Sequence, residues 1–395
     1  MEMKSMFADR VQSLKGSAIR EMFKLLAQPD MISFAGGAPA PELFPGDLLG
    51  EISHKILKEN AKVALQYGIT EGYVPLREYT KARMQRLGNI HAHDELIITS
   101  GGQQALDLTF KSLLNEGDTV VLESPSFIGG MNSLRSYNAK LHGIEVEEDG
   151  MNIDALEDYL KTNKIKLVYT IATFQNPSGI TMSVEKRKKL LALADKYDFY
   201  ILEDNPYGEL RFTGADVPTI KSFDTEGRVI YAGSYSKTIS PGLRLGWAIA
   251  RKDIMEKMII CKQVSDVHTC VLPQMMAAEF FDGFDFDAHI EKSKVLYRER
   301  SAAMMDAMDT YFPAECTHTV PEGGIFLWCT LPEGYDSDAL LKKAVSEKVA
   351  FVAGSTCMPV PEEGARYMRL NYSLTAPEKI KEGIMRLGEV IRNAR

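Results

Sequence analysis

The sequence predicts an α/β protein, with a mostly parallel sheet covered by helices on both faces and a smaller second domain. First, strand-like and helix-like segments alternate between about residues 96 and 250, as in parallel strands joined by helical crossovers. Second, the length of 395 residues exceeds what one simple core needs and indicates two domains. Third, the pattern changes after about residue 286, where a long charged helix begins.

Short apolar runs bounded by polar loops predict the strands of the large sheet. The predicted strands cover residues 96–99, 119–123, 167–170, 199–202, 228–233 and 243–250. The predicted helices between them cover residues 105–114, 156–160 and 183–197. The last of these helices begins at Ser183 and carries Glu185 in its first turn, which is typical of a helix start. The strand at 243–250 follows its predecessor too closely for a helical crossover, so we expect an antiparallel pair.

Four segments near the C-terminus predict the second domain. They are a helix at 289–310, strands at 324–328 and 367–372, and a final helix at 376–393. The chain has no internal repeat, low-complexity tract or linker longer than a loop.

The composition is that of an ordinary globular protein, with 45% hydrophobic and 25% charged residues. The net charge of −8 argues against nucleic acid as a partner, because nucleic acid requires a basic face. The five cysteines form no CxxC pair, which indicates reduced thiols. Because the first residues lack a signal-peptide core and no apolar run could span a membrane, we expect a cytoplasmic protein without a membrane partner.

The most informative stretch of the chain is Ser234-Tyr235-Ser236-Lys237, directly after the predicted strand at 228–233. Arg244 follows the lysine after seven positions. A lysine amine can form a Schiff base with an aldehyde, and burial readily lowers its pKa. The serines and the arginine suit the phosphate of an aldehyde cofactor. Taken alone, the cluster is equally typical of a solvated surface loop.

Polar residues also follow the two preceding strands. Asn176 lies in the loop after residues 167–170, and Asp204 and Tyr207 follow residues 199–202. Ligands of open α/β sheets bind at the carboxyl ends of strands, so we expect these residues to converge with Lys237. A buried carboxylate such as Asp204 keeps the nitrogen of a pyridoxal phosphate ring protonated. Asn176 and Tyr207 can donate hydrogen bonds to the phenolic oxygen of that ring.

With these residues in this order, the chain resembles the fold-type I, class I/II pyridoxal-phosphate aminotransferases. The nearest branch is the 2-aminoadipate, kynurenine and aromatic aminotransferase group, which also resembles the effector domain of MocR-type regulators. The matching motifs run from Ser17 to Asn371, essentially the whole chain. The resemblance implies a mixed, mostly parallel seven-stranded sheet with helices on both faces, a smaller α+β domain and a homodimer with shared active sites. It also implies that residues 1–47 pack on the small domain, that 48–285 form the cofactor-binding domain and that 286–395 form the small domain.

The resemblance assigns further residues to the cofactor. Gly101, Gly102 and Gln103 match a phosphate-binding turn at the start of a helix. Phe127 matches an aromatic ring that stacks on the cofactor, although core packing is an equally ordinary role for it. Tyr67 matches a tyrosine that reaches the phosphate of the neighbouring subunit. Relatives often carry a hydroxyl residue where this chain has Gly102, so one possible side-chain contact is missing here.

The resemblance also implies how the substrate binds. Arg369, on a strand-like segment, is expected to grip the α-carboxylate together with Asn176, while Gly37 lets backbone approach the substrate. Arg20 is expected to meet an acidic side chain, whereas its apolar neighbours favour aromatic or branched substrates. The implied reaction moves an amino group between an L-amino acid (2-aminoadipate, aromatic, branched-chain or glutamate) and a 2-oxo acid such as 2-oxoglutarate. Lys237 would serve as the general base and acid.

Two other functions remain open at this stage. A pyridoxal-phosphate carbon–sulfur lyase on the same fold would need the same lysine and aspartate. A non-catalytic effector-binding module, as in MocR-type regulators, is disfavoured because the chain is acidic and begins directly at the aminotransferase segment. His91 and His93 resemble a metal-binding pair, but we interpret them as part of a polar loop and expect no metal.

Overall fold

The structure, a computed structural model, describes residues 8–12 and 30–394. The strands are β1 Ile32–Ser33, β2 Asp94–Thr99, β3 Thr119–Ser124, β4 Lys140–Glu147, β5 Gly150–Met151, β6 Leu167–Thr170, β7 Tyr200–Asp204, β8 Val229–Ser234, β9 Gly246–Arg251, β10 Thr317–His318, β11 Phe326–Thr330, β12 Val349–Ala350, β13 Val352–Ala353 and β14 Tyr367–Asn371. The α-helices are Asp9–Gln12, Gly46–Glu59, Ala61–Ala64, Val74–Arg86, Gly102–Leu113, Ile128–Arg135, Ile153–Leu160, Val184–Tyr197, Lys252–Gln263, Val271–Gly283, Phe286–Tyr311, Ser337–Ser346 and Pro377–Arg392. Each predicted strand and helix is present, with its ends displaced by a few residues. Among the described residues, no helix has both the length and the hydropathy to cross a bilayer.

The large sheet has the strand order β2-β9-β8-β7-β6-β3-β4-β5. Strands β4, β3, β6, β7 and β8 run parallel to one another. Strand β9 is antiparallel to both β8 and β2, which confirms the prediction for the segment after Lys237. Seven strands have four residues or more, and the two-residue strand β5 extends one edge by pairing with β4. The sheet is therefore the mixed, mostly parallel one that the resemblance implied.

Alternating residues of the strands enter two cores, one on each face of the sheet. On β3, Val120 and Leu122 belong to the core that contains helix Gly102–Leu113, while Val121 belongs to the core of helix Val184–Tyr197. This period of two follows from the pleat of a strand. Because both faces are covered, strands such as β6 consist entirely of buried residues, as is typical of parallel sheets.

The C-terminal part of the chain forms a second, antiparallel sheet in the order β10-β11-β14-β13. Strand β1 pairs in parallel with β12, so residues 32–33 are attached to this smaller unit. Helix Phe286–Tyr311 leads into the unit and packs against the C-terminal helix. On these contacts we propose the domain division at residues 48 and 286, which hydrogen exchange would test by resolving two separately protected units.

A buried ion cluster fixes the edge of the large sheet. The ammonium of Lys221 lies 2.9 Å from Asp94 and 3.0 Å from Asp224, and it also donates to the Val229 carbonyl. All three charged side chains are inaccessible to solvent. A buried charge without partners is costly, so the cluster ties β2 to β8 through the loop between β7 and β8.

Candidate active site

A cavity of about 320 Å³ lies at the carboxyl ends of β6, β7 and β8. The loops after these strands begin at the same edge because the strands are parallel. The structure brings most of the predicted site residues together in its walls. They are Gly37, Gly102, Gln103, Phe127, Asn176, Asp204, Tyr207, Ser234, Ser236, Lys237, Arg244 and Arg369.

The amine of Lys237 is the nucleophile available in the cavity. Its Nζ donates a hydrogen bond of 2.6 Å to the Gly37 carbonyl. Burial, together with the positive charges of Arg369 and Arg244, lowers the pKa of Lys237 to about 8 against the opposing pull of Asp204. The neutral amine that Schiff-base chemistry requires is therefore far more populated near neutral pH than in an ordinary lysine.

Asp204 is a buried carboxylate at the end of β7. The hydroxyl of Tyr169 donates to its Oδ2 at 2.9 Å. Burial raises the pKa of Asp204 to about 7, and the Glu123 carboxylate adds to the rise, while Tyr169 and Lys237 oppose it. A cationic N–H beside this carboxylate would restore its ionised form. The site is therefore suited to hold a protonated ring nitrogen.

Arg369 places a guanidinium in the cavity without a carboxylate partner among the described residues. One nitrogen donates to Asn176 Oδ1 at 3.1 Å, and another donates to the carbonyls of Ala35 at 2.7 Å and Gly36 at 3.3 Å. Its Cζ lies 4.3 Å from the centre of the Phe326 ring, and its buried Nε has no hydrogen-bond partner in this part of the chain. The guanidinium can therefore bind a carboxylate.

A turn before helix Gly102–Leu113 forms the other end of the cavity. Gly101 has a φ of +84°, and a side chain there would collide with the Arg244 guanidinium. The exposed Arg244 side chain donates to the Ser100 carbonyl at 3.3 Å. At the start of the helix, the N–H groups of Gly102 and Gln103 donate to no acceptor among the described residues. Free N–H groups, an arginine and the hydroxyls of Ser234 and Ser236 together fit a phosphate.

Tyr207 and Phe127 complete the walls. Tyr207 is buried and meets Phe326 edge to face, with ring centres 5.7 Å apart. Burial raises the pKa of Tyr207 well above its usual range, so its hydroxyl remains a hydrogen-bond donor. Phe127 packs so closely on Gly129 that a Cβ there would overlap its ring. The donor set thus fits pyridoxal phosphate: an amine for the aldehyde, a carboxylate for the ring nitrogen, donors for the phenolic oxygen and a phosphate turn.

Three predicted residues do not line the cavity: Gly101, which lies behind it against the Arg244 guanidinium, Tyr67 and Arg20. Tyr67 is 81% exposed and meets only the His268 ring edge to face among the ring contacts of the described chain. Arg20 lies outside the described residues. Sequence reasoning missed Tyr169 and Phe326, which contact Asp204 and Arg369. Both lie inside strands, where their apolar neighbours give no signal that separates them from core residues.

The chain is similar to known aminotransferases over most of its length. The family model for class I and II aminotransferases matches residues 43–387. The chain is 43% identical to aromatic-amino-acid aminotransferase 1 of Thermococcus litoralis, over 98% of this chain and 94% of that protein. It superposes with a TM-score of 0.94 on Pyrococcus horikoshii kynurenine aminotransferase in complex with PMP, at 40% identity over 98% and 97% of the two chains. It superposes with a TM-score of 0.91 on LysN, the α-aminoadipate aminotransferase of Thermus thermophilus, complexed with N-(5'-phosphopyridoxyl)-L-leucine, at 37% identity and the same coverage.

The depressed pKa of Lys237 predicts its reactivity. In ligand-free protein, reductive methylation by formaldehyde should reach half its maximal rate at Lys237 near pH 8, well below the exposed lysines. Arg369→Met should move this midpoint upward, because losing a nearby cation favours the charged amine. Peptide mass spectrometry across a pH series measures both effects. Arg366→Met, which removes a 42% exposed side chain, is the control and should leave the midpoint in place. A Lys237 midpoint equal to that of the surface lysines would contradict the assignment.

Proposed function

The chain belongs to the class I and II aminotransferase family, and we propose that it transfers amino groups from 2-aminoadipate, aromatic, branched-chain or glutamate donors to a 2-oxo acid such as 2-oxoglutarate. The enzyme is a pyridoxal-phosphate-dependent aminotransferase. One observation carries the substrate proposal: the open guanidinium of Arg369 lines the same cavity as the Lys237 amine. An α-amino acid has the carboxylate and the amine that these two groups recognise.

We propose specific residues for the cofactor. Lys237 would hold its aldehyde, Asp204 its ring nitrogen, and Asn176 and Tyr207 its phenolic oxygen, with Phe127 against the ring. Its phosphate would lie on Gly101, Gly102, Gln103, Ser234, Ser236 and Arg244. When bound, the cofactor supplies an aldehyde that captures amino groups and a ring that withdraws electrons from the substrate's α-carbon.

The chain's own groups then perform the remaining chemistry. Arg369 and Asn176 bind the α-carboxylate and fix the orientation of the α-carbon. Once the substrate's amino group had replaced it on the aldehyde, the free amine of Lys237, with its pKa near 8, would accept the α-proton and, as an ammonium, would deliver it to the aldehyde carbon. Asp204, ionised beside the ring nitrogen of the cofactor, would keep the proton on that nitrogen. The amino donor and the 2-oxo acid acceptor are alike only at their α-carbon end. Because Arg369 and Asn176 bind that end, one pocket can serve both half-reactions.

The relatives support a broad donor range. Their names cover aromatic amino acids, kynurenine and α-aminoadipate, and the LysN structure contains a leucine adduct. Arg369 suits the common end of all these molecules. Acidic side chains need a further cation, for which we propose Arg20.

We also propose a homodimer with shared active sites. The most exposed large apolar side chains of the described residues are Tyr67, Val264 and Leu65, at 81%, 74% and 73%. Tyr67 touches His268, which belongs to the same loop region as Val264. A second copy on this face would bring its Tyr67 towards the phosphate turn. Four of the cysteines, Cys261, Cys270, Cys329 and Cys357, are free thiols, which supports our proposal of a cytoplasmic location, testable by cell fractionation.

Replacing Asp204 by asparagine should preserve the fold and cripple catalysis. An amide cannot hold the proton on the ring nitrogen, so we expect kcat to fall by about 10²-fold or more, roughly 2.7 kcal/mol of barrier. Steady-state kinetics on cofactor-saturated protein measure the loss. Asp216→Asn, at a side chain that is 97% exposed, is the matched control. Turnover close to wild type with cofactor bound would exclude this role for Asp204.

Substrate choice should separate the two proposed arginines. Arg369→Ala should weaken every donor, whereas Arg20→Ala should weaken 2-aminoadipate and glutamate by roughly 1.5–3 kcal/mol and leave leucine and phenylalanine nearly unchanged. Values of kcat/KM for a donor panel with 2-oxoglutarate decide between them. Equal losses for all donors in Arg20→Ala would make that residue structural. Ammonia release from cysteine without any 2-oxo acid acceptor would instead favour the lyase.

The dimer proposal predicts a solution mass of twice the 44.0 kDa of the chain. Replacing both Leu65 and Val264 by lysine should give monomers that have lost activity, because charges on an apolar interface cannot be solvated there. Sedimentation velocity measures the mass. Val295→Lys, at a valine that is 60% exposed on the helix Phe286–Tyr311, is the control and should remain dimeric. A fully active wild-type monomer would refute the shared site.

A further inference from the structure

Lys262 is a fully buried lysine that does not line the catalytic cavity. It lies on helix Lys252–Gln263, and its ammonium donates to Gln104 Oε1 at 2.6 Å and to both oxygens of Asp266 at 2.9 Å. Burial lowers the pKa of Lys262, although its pairing with Asp266 opposes that shift. Lysine side chains are almost never buried this completely unless their ammonium group has partners, so the contacts of Lys262 explain its position.

Those contacts converge on the turn before helix Gly102–Leu113. Gln104 Oε1, which accepts from Lys262, also accepts from the backbone N–H of Ser100 at 2.8 Å. Asp266 Oδ2 accepts from Gln104 Nε2 at 2.7 Å and from the Ser100 hydroxyl at 3.1 Å. The backbone N–H and the hydroxyl of Ser100 thus donate to Gln104 and Asp266, and the ammonium of Lys262 donates to both of those side chains.

The opposite side of the same turn faces the proposed phosphate site. The Ser100 carbonyl accepts from Arg244 at 3.3 Å, and Gly101 lies directly against the Arg244 guanidinium. Strand β9 also packs closely here, since a Cβ on Gly246 would come within 2.7 Å of the Gly102 nitrogen. The direction of the free Gly102 and Gln103 N–H groups therefore depends on where Ser100 is fixed.

We infer that Lys262, through Gln104 and Asp266, is a positioning residue that sets the phosphate-binding turn from behind. The inference rests on the phosphate site proposed above. Its effect is geometric, because Asp266 neutralises the ammonium at 2.9 Å and little net charge reaches the cavity. Without Lys262, Gln104 loses its strongest donor and can rotate, and the Ser100 N–H then loses its acceptor.

The experiment compares pyridoxal phosphate with pyridoxal, which lacks the phosphate but can react with the same lysine. Binding of each to cofactor-depleted enzyme is followed by absorbance at equilibrium. In Lys262→Met we expect the Kd for pyridoxal phosphate to rise roughly tenfold to a hundredfold, the scale of a lost hydrogen bond to a charged group. The Kd for pyridoxal should change by less than about twofold, because the amine of Lys237 is untouched.

Lys221→Met is the matched control, since it also removes a buried, ion-paired lysine, whose partner Asp94 lies at the opposite end of β2 from Ser100. It should leave the ratio of the two Kd values unchanged. If Lys262→Met does not fold, Gln104→Leu removes the same acceptor and should show the same selective loss.

Equal weakening of both ligands in the Lys262 and Gln104 variants would show a merely structural role and overturn the inference. A wild-type enzyme that binds pyridoxal as tightly as pyridoxal phosphate would instead refute the phosphate site itself, and the inference with it. Thermal shifts give an independent reading: inorganic phosphate should stabilise the wild-type and Lys221→Met proteins more than Lys262→Met. Equal phosphate stabilisation of all three would contradict the role of Lys262.

Discussion

Parallel pairing of β6, β7 and β8 is the constraint on which the active site depends. Because the three strands run in the same direction, the loops that follow them begin at the same edge of the sheet. This places Asn176, Asp204 and Lys237 around one cavity. An antiparallel strand at any of these positions would send its loop to the opposite edge. The register itself is held by packing, because a one-residue slip would exchange the side chains that enter the two cores. The positions of the reactive side chains in the cavity thus depend on the burial of apolar residues on both faces of the sheet.

The second organising feature is the way in which the cations are held. Arg369 is positioned by the carbonyls of Ala35 and Gly36, and Arg244 by those of Pro241 and Ser100. Neutral acceptors fix a guanidinium without cancelling its charge, whereas carboxylates would cancel it. The lining therefore carries three basic side chains against the single acid Asp204. Such an excess suits a phosphate at one end and a substrate carboxylate at the other, and it also lowers the pKa of Lys237.

Both units of the fold contribute to this cavity. Arg369 and Phe326 come from the smaller antiparallel sheet, while Asp204 ends β7 of the large sheet and Lys237 lies in the loop after β8. The hydrogen bond from Lys237 to Gly37 crosses between them, because the segment containing Gly37 follows β1, which pairs with β12. Any shift between the units would change the contacts of the lysine and of the carboxylate-binding arginine together.

The sequence by itself determined the strand and helix pattern, the antiparallel return after Lys237 and the polar residues Asn176, Asp204, Tyr207 and Lys237 that follow the strands. These features follow from local signals: the period of apolar residues, turn chemistry, and polar residues at strand ends. Only the tertiary structure decided which groups surround the reactive ones. Tyr169 has the same apolar context as any core residue of β6, yet its hydroxyl meets Asp204. The buried lysines Lys221 and Lys262 are indistinguishable in sequence from surface lysines. The pKa values of Lys237 and Asp204 likewise depend on burial and on charged residues that are far away along the chain. How close those charges lie in space cannot be read from the linear sequence.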